Sequence, residues 1–418
     1  MSHGEPAIDS SREKSFLSPV RLLLLSMGLY AVQTFWGFSM ATLPVHLLEI
    51  LGSETLTGIV IAAAGIFGMS MPIVAGALSD RISTPFGKRK PFIVSGWIVT
   101  VTILLIMPSV TSKAAVIFLA LIVYAAFFVA MGPYFALLPD LAPPQQQGTA
   151  SGVMFFVGGI GVIAYLFFGG RAWEANHAFP FFWAAGSIVF AVAVMCAGTR
   201  EPKHPPVVRK SGDLIRRIMS ERRAVSFYGG MILWWSGIWM ANYFFVIAMR
   251  GMFGVTVREA VLVQFLFTVS YVLFALPMGY LGVRAGQKRL TVVGLMLLAL
   301  VLFITGVVMD FRSVYPLMII AGAAFAIILV VAYSYFITII PPENTAGFLG
   351  VYMACQNGAI LIGPALGGYL VETFGPRSMY PCAGVLVLLG VMCILNIRER
   401  RGGIPGVGSK PRESTATH

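Results

Sequence analysis

The sequence has little charge. Asp, Glu, Lys and Arg make up 11% of its 418 residues, where a soluble domain carries roughly a quarter. A water-soluble fold is excluded, because 58% hydrophobic residues cannot be hidden behind so thin a polar shell. Cysteine is also scarce. Cys196, Cys355, Cys382 and Cys393 all fall inside apolar segments, so there is neither a disulfide framework nor a metal-ligand spacing. No HExxH, Walker loop, GxSxG or paired catalytic acids occur, so nothing marks an enzyme, and neither cofactor nor metal is expected. The formal charge of +12 does not indicate nucleic acid, since the basic residues are scattered through short polar stretches rather than gathered on one face.

What the chain has instead is apolar runs of about 20 residues, each long enough to cross a bilayer. Spans are expected near 20–45, 55–79, 92–110, 114–138, 149–170, 179–198, 225–249, 257–281, 290–309, 313–339, 346–370 and 377–396. The first eighteen residues are polar, and no small-residue cleavage pattern follows the first run, so that span is expected to remain in the protein. Twelve spans put both termini on one side. Of the 29 Lys and Arg, only Lys113, Arg171, Arg250, Arg258, Arg312 and Arg377 fall on the other. The positive-inside rule then predicts cytoplasmic termini and a multi-pass protein of the cell membrane.

The polar stretch 199–224, with Pro202, Pro205 and Pro206, separates six spans from six. The expected organisation is an N-terminal bundle (1–198), a linker (199–224), a C-terminal bundle (225–397) and a tail (398–418). The halves echo each other. Pro143-Pro144 and Gly152-Val153 recur 198 residues later as Pro341-Pro342 and Gly350-Val351. Gly76, Arg81 and Gly87-Lys88-Arg89 likewise face Gly279, Arg284 and Gly286-Gln287-Lys288, with Val283 where the first copy has Asp80. Such symmetry is expected of transporters built from repeats.

The stretch 76–91, GALSDRISTPFGKRKP, resembles the loop signature of the major facilitator superfamily. Within it the chain looks most similar to the glycoside-pentoside-hexuronide and sucrose-transporter branch, on residues 40–95. The resemblance implies an all-α membrane protein of twelve helices in two pseudo-symmetric six-helix bundles. A monomer is expected, rocking around a central cavity by alternating access. It also implies a gating charge relay made of Asp80 and Arg81 with Asp140, supported by Gly76, Gly87, Lys88 and Arg89, that locks the outward-facing state. The plainer alternative is that the acids balance a basic loop.

For a solute site, Gln33 and Trp36 lie inside span one, and Trp235, Trp239 and Asn242 share one face of span seven at i, i+4, i+7 spacing. Aromatic faces cover the apolar side of a pyranose while carboxamides bond its hydroxyls, which gives Gln33, Asn242, Gln264, Gln356 and Asn357 a purpose in sugar binding. The alternatives are an interfacial aromatic belt and carboxamides that glue helices together. Apart from Asp140 and the end-of-span residues Glu49, Asp310 and Glu372, no acid lies within a span, so coupling to a proton or sodium ion and simple uniport both stay open. His46 sits at the outer end of span one. The expected function is a permease for a small polar solute such as a sugar or glycoside. The rivals are a drug or metabolite exporter, prompted by the glycine-proline run 358–368, and a receptor or scaffold that transports nothing.

Overall fold

A computed structural model describes residues 16–82, 84–199, 201, 220–341 and 345–397. Lipid offers no partner for backbone amides, so apolar segments must satisfy them internally, and every long described element is a helix. The first half contains α1 (Pro19–Ala41), α2 (Leu43–Leu51), α3 (Glu54–Arg81), α4 (Lys90–Ile106), α5 (Lys113–Leu141), α6 (Pro144–Ala164) and α7 (Phe179–Gly198). The second contains α8 (Arg222–Phe253), α9 (Val257–Ala285), α10 (Gln287–Val307), α11 (Val314–Ile327), α12 (Tyr333–Ile339), α13 (Thr345–Phe374) and α14 (Met379–Leu395). Among the described residues, eleven helical stretches are long and apolar enough to cross a membrane, and α14 is a shorter apolar helix of 17 residues that makes the twelfth.

Local chemistry sets the ends. Ser18 and Ser53 cap α1 and α3 through their hydroxyls, and Thr256 with Glu259 closes a capping box on α9. Gly52 and Gly254 end α2 and α8 in the left-handed conformation.

Three expected spans differ in detail. Span one breaks at Thr42, just before Pro44, whose missing amide interrupts the ladder, and helix then resumes to Leu51. It outruns the apolar window because His46 and Glu49 are polar yet helical. Span five begins at Pro144 and passes into a π-helical turn at Tyr165–Gly169. Span ten carries another, Ile328–Ala332, between α11 and α12. Hydropathy does not register such one-residue insertions. Residues 1–15, most of the expected linker (202–219) and the tail 398–418 lie outside the described residues.

In the first half α1 packs on α6 and α7, and α5 on α3 and α4; in the second α14 packs on α8 and α10, and α9 on α11. The halves meet along two antiparallel seams, α3 with α13 and α6 with α9. Along the first, the backbones of Gly58 and Pro364 touch so closely that a Cβ on Gly58 would collide with the Pro364 carbonyl, and Gly65 would collide with the Leu361 amide. Gly68 meets Asn357, and Gly358 meets Met69. The run 358–368, which prompted the exporter reading, is therefore a packing surface: Gly363 and Gly367 lie against α8, and Gly368 lies against Glu54 of α3.

Both seams are closed only on the side away from the termini. On the terminal side Gly76 and Gly350, which continue the α3/α13 register, face open space, as do Gly148 and Gly152 beyond the Gly159–Val272 contact of the other seam. Pro72 and Pro277 stand just past the last contacts, where each breaks its helix's ladder. The molecule is shut at the far side and open toward the termini.

Candidate functional site

Where the halves meet in mid-helix, Trp36 of α1 stacks on Trp239 of α8, with ring centroids 5.6 Å apart and planes 16° from parallel. Trp235 stacks on Trp239 in turn, at 5.2 Å, because four residues make about one helical turn. Phe127 and Phe128 of α5 meet Trp36 edge-on at 5.4 and 6.0 Å. The Trp239 indole donates to the backbone carbonyl of Gln356 at 3.1 Å, which fixes its plane. Among the described residues the buried Trp235 indole N–H has no acceptor, so this aromatic platform carries an unused donor.

The other proposed solute residues are less gathered. Gln33 is half-buried beside Gly158, and the Asn242 amide bonds its own helix at Ile238. Asn357 is buried against Gly68 in the α3/α13 seam, where it serves packing, and its amide donates to Met353. Gln264 is 5% exposed on α9, and its side-chain carbonyl has no donor. Trp36, Trp235 and Trp239 thus form one group, which Gln356 joins through its backbone carbonyl, while Asn357 and Gln264 belong to the seam helices.

A layer of hydroxyls that sequence reasoning missed lies nearer the far side. Ser39 and Tyr124 are bonded at 2.8 Å, and Thr42 and Tyr165 at 2.5 Å. Only the fold shows these contacts, because the partners are 85 and 123 residues apart. His46 is buried against Phe181 and Trp173, with ring centroids 4.9 and 6.2 Å apart, and lies within the first bundle rather than beside Trp36, Trp235 and Trp239.

At the terminal side, the turn Thr84–Gly87 folds the basic loop back over the end of α3. Arg89, 6% exposed, then lies between two acids: its Nη2 is 2.7 Å from Asp80, its Nε is 3.1 Å from Asp140, and its Nη1 bonds Ser79 at 2.6 Å. Lys88 approaches the same carboxylates at 3.6 and 3.4 Å. The Gly76 carbonyl also accepts from Arg89, at 3.3 Å. The expected cation, Arg81, is exposed and pairs with neither acid among the described residues. The loop is what decides this: one residue beyond Asp80, and so on another face of the helix, α3 points Arg81 outward, whereas the reversal at Gly87 returns Arg89 inward. In this open state Asp80 bonds within its own bundle.

Glu201 was not anticipated. Its carboxylate accepts the backbone amides of Lys88, Arg89 and Lys90 at 2.8, 2.9 and 2.7 Å, which satisfies the start of α4 with a negative charge. Gly87 (φ +108°) passes so close that a Cβ there would lie 2.5 Å from the Glu201 carboxyl carbon. Lys90 in turn donates to the Cys196 and Thr199 carbonyls at the end of α7.

Two helical halves closed on one side around an aromatic centre define a membrane carrier fold. The chain belongs to the Major Facilitator Superfamily, whose family model matches residues 4–166 and 227–416. It is 28% identical over 193 residues to the uncharacterized MFS-type transporter YfkF of Bacillus subtilis, covering 43% of this chain and 46% of that one. It is 29% identical over 101 residues to autophagy-related protein 22-1 of Aspergillus terreus, covering 24% of this chain and 17% of the relative. These matches span less than half of either relative. Among solved structures, the nucleoside transporter NupG (D323A mutant) superposes with a TM-score of 0.75 at 17% identity, covering 91% of this chain and all of that one.

Proposed function

We propose that the protein is a permease that moves a small neutral polar solute with a flat face, a sugar or glycoside, across the cell membrane by alternating access. The supporting observation is the Trp36–Trp239 stack, which joins the two halves in mid-helix beside an unused indole donor. A flat apolar face packs on such rings while carboxamides such as Gln33 and Asn242 take up hydroxyls. The described acids lie near helix ends, so the centre favours an uncharged solute. The charge bias supports cytoplasmic termini, and on that reading the open side is the inward one.

The test is uptake of labelled sugars and glycosides into proteoliposomes, with nucleosides in the same panel because NupG shares the fold. Uptake of a sugar, competed by its congeners, supports the reading; uptake of nucleosides alone overturns the sugar assignment. Repeating the assay under pH and sodium gradients separates symport from uniport: accumulation above the outside concentration under either gradient assigns the coupling ion, and indifference to both assigns uniport.

A further inference from the structure

On the far side the two seams end alike. Glu372, near the end of α13, accepts the Thr55 amide at 2.7 Å and the Ser53 hydroxyl at 2.8 Å on the first turn of α3, and Glu174 accepts the Arg258 amide of α9 at 3.2 Å. On the terminal side they differ. The α3/α13 gap has an acid at the end of α3, Asp80, already paired with Lys88 and Arg89. In the α6/α9 gap, α9 ends on Val283-Arg284, and among the described residues no carboxylate lies within ion-pair distance of Arg284. Its guanidinium lies instead over the Tyr280 ring, 4.3 Å from the centroid.

The walls of that gap are apolar. Gly170, just past the π-helical turn that follows α6, meets Val261, and Gly159 meets Val272, a one-for-one antiparallel register. Continued past the last contact, the register sets Phe155 opposite Leu276 and Gly148 opposite Val283. They stand apart: Gly148 faces open space, and Phe155, Leu276 and Val283 are 56%, 85% and 77% exposed. The 29 residues of α9 make roughly 43 Å of helix against about 30 Å of hydrocarbon. Leu276 therefore lies at acyl-chain depth, and Arg284, in the last turn, at the level of the headgroups. An acyl chain suits the apolar walls, and a phosphate suits a guanidinium that lacks a carboxylate.

We propose that this cleft is a berth for one anionic phospholipid of the terminal-side leaflet, with an acyl chain between Phe155 and Leu276 and the phosphate on Arg284. The Tyr280 ring holds the guanidinium in place, and Arg289, exposed just beyond the Gly286 turn, adds a second positive charge to the same end. A zwitterionic lipid brings its own cation to the phosphate and so gains less from Arg284. The site does not involve the central tryptophans, so it stands or falls apart from the sugar assignment.

The experiment is native mass spectrometry of the full chain in a neutral detergent, with phosphatidylglycerol and phosphatidylcholine of the same acyl chains added in equal amounts. The parent is expected to keep one phosphatidylglycerol at collision energies that strip phosphatidylcholine. R284Q/R289Q is expected to lower the affinity for phosphatidylglycerol roughly tenfold. F155A/L276A, which leaves the charges alone, is expected to lower it roughly threefold. R222Q/R223Q removes two cations at the start of α8, whose terminal end bonds α13 and α14 away from the cleft, and should leave binding unchanged. Unchanged melting temperatures establish that the variants fold. Equal retention of the two lipids, or an equal loss in R222Q/R223Q and R284Q/R289Q, reduces the effect to a general positive field and overturns the site. Binding unaltered in F155A/L276A overturns the seat of the acyl chain. Displacement of the lipid by inorganic phosphate makes Arg284 a free-anion site and overturns the lipid as its occupant.

Discussion

Trp36 and Trp239 come from helices that start more than 200 residues apart, yet their rings stack at 5.6 Å across the boundary between the two halves. On the proposed reading, this stack is the flat apolar surface on which the solute packs. W36A and W239F are expected to raise the apparent KM for the transported solute roughly fivefold, the loss of about 1 kcal/mol of ring stacking. The check is concentration-dependent uptake at matched protein levels. W239A is less informative, because emptying an 8%-exposed tryptophan site costs stability as well, about 3–5 kcal/mol.

Arg89 and Arg81 separate by geometry. Removing Arg89 leaves Asp80 and Asp140 facing each other with Lys88 as their remaining cation, so R89A is expected to destabilise the protein by about 3 kcal/mol and to abolish uptake. R81A, at an exposed position, should stay within about 0.5 kcal/mol of the parent. Thermal melting of the purified variants together with uptake checks both. An R81A variant as damaged as R89A would contradict the pairing described.

Glu201 caps α4 from the far end of the first half. E201A strands three amides, and the expected cost is about 1–2 kcal/mol. Melting curves read it directly, with E201Q intermediate because the carboxamide retains one acceptor oxygen without the charge.

Closing the far side needs a glycine at position 58. In G58L the new side chain meets the Pro364 carbonyl, and the seam can close only if α3 and α13 move apart. Uptake should fall to background while the protein still inserts and elutes as folded. G186A is the control: a Cβ there touches nothing, and the helix gains about 0.5–1 kcal/mol from the better helix former. Normal uptake by G58L would show that the seam does not have to close.

The number of spans and their order were legible from composition and apolar length, because crossing lipid requires an apolar helix of about 20 residues whatever its neighbours are. The motif 76–91 was legible too, Trp235 and Trp239 could be picked out by helical spacing, and Trp36 by its place inside span one. The cation that pairs with Asp80 could not be chosen from sequence. Arg81 is adjacent to it in the chain, whereas Arg89 reaches it only through the turn at Gly87. Glu372 reads in sequence only as an end-of-span acid, and Glu201 falls unremarked in the expected linker, since their partners lie 317–319 and 111–113 residues away.

The sequence by itself determined that this chain lives in lipid as a repeated set of helices, because burial of apolar surface and satisfaction of backbone amides are local requirements that each segment meets alone. Only the tertiary structure decided which charges pair, which tryptophans meet and which side of the molecule is open. Those depend on how two packed bodies sit against each other, and contacts between them carry no periodicity that a single strand of sequence can show.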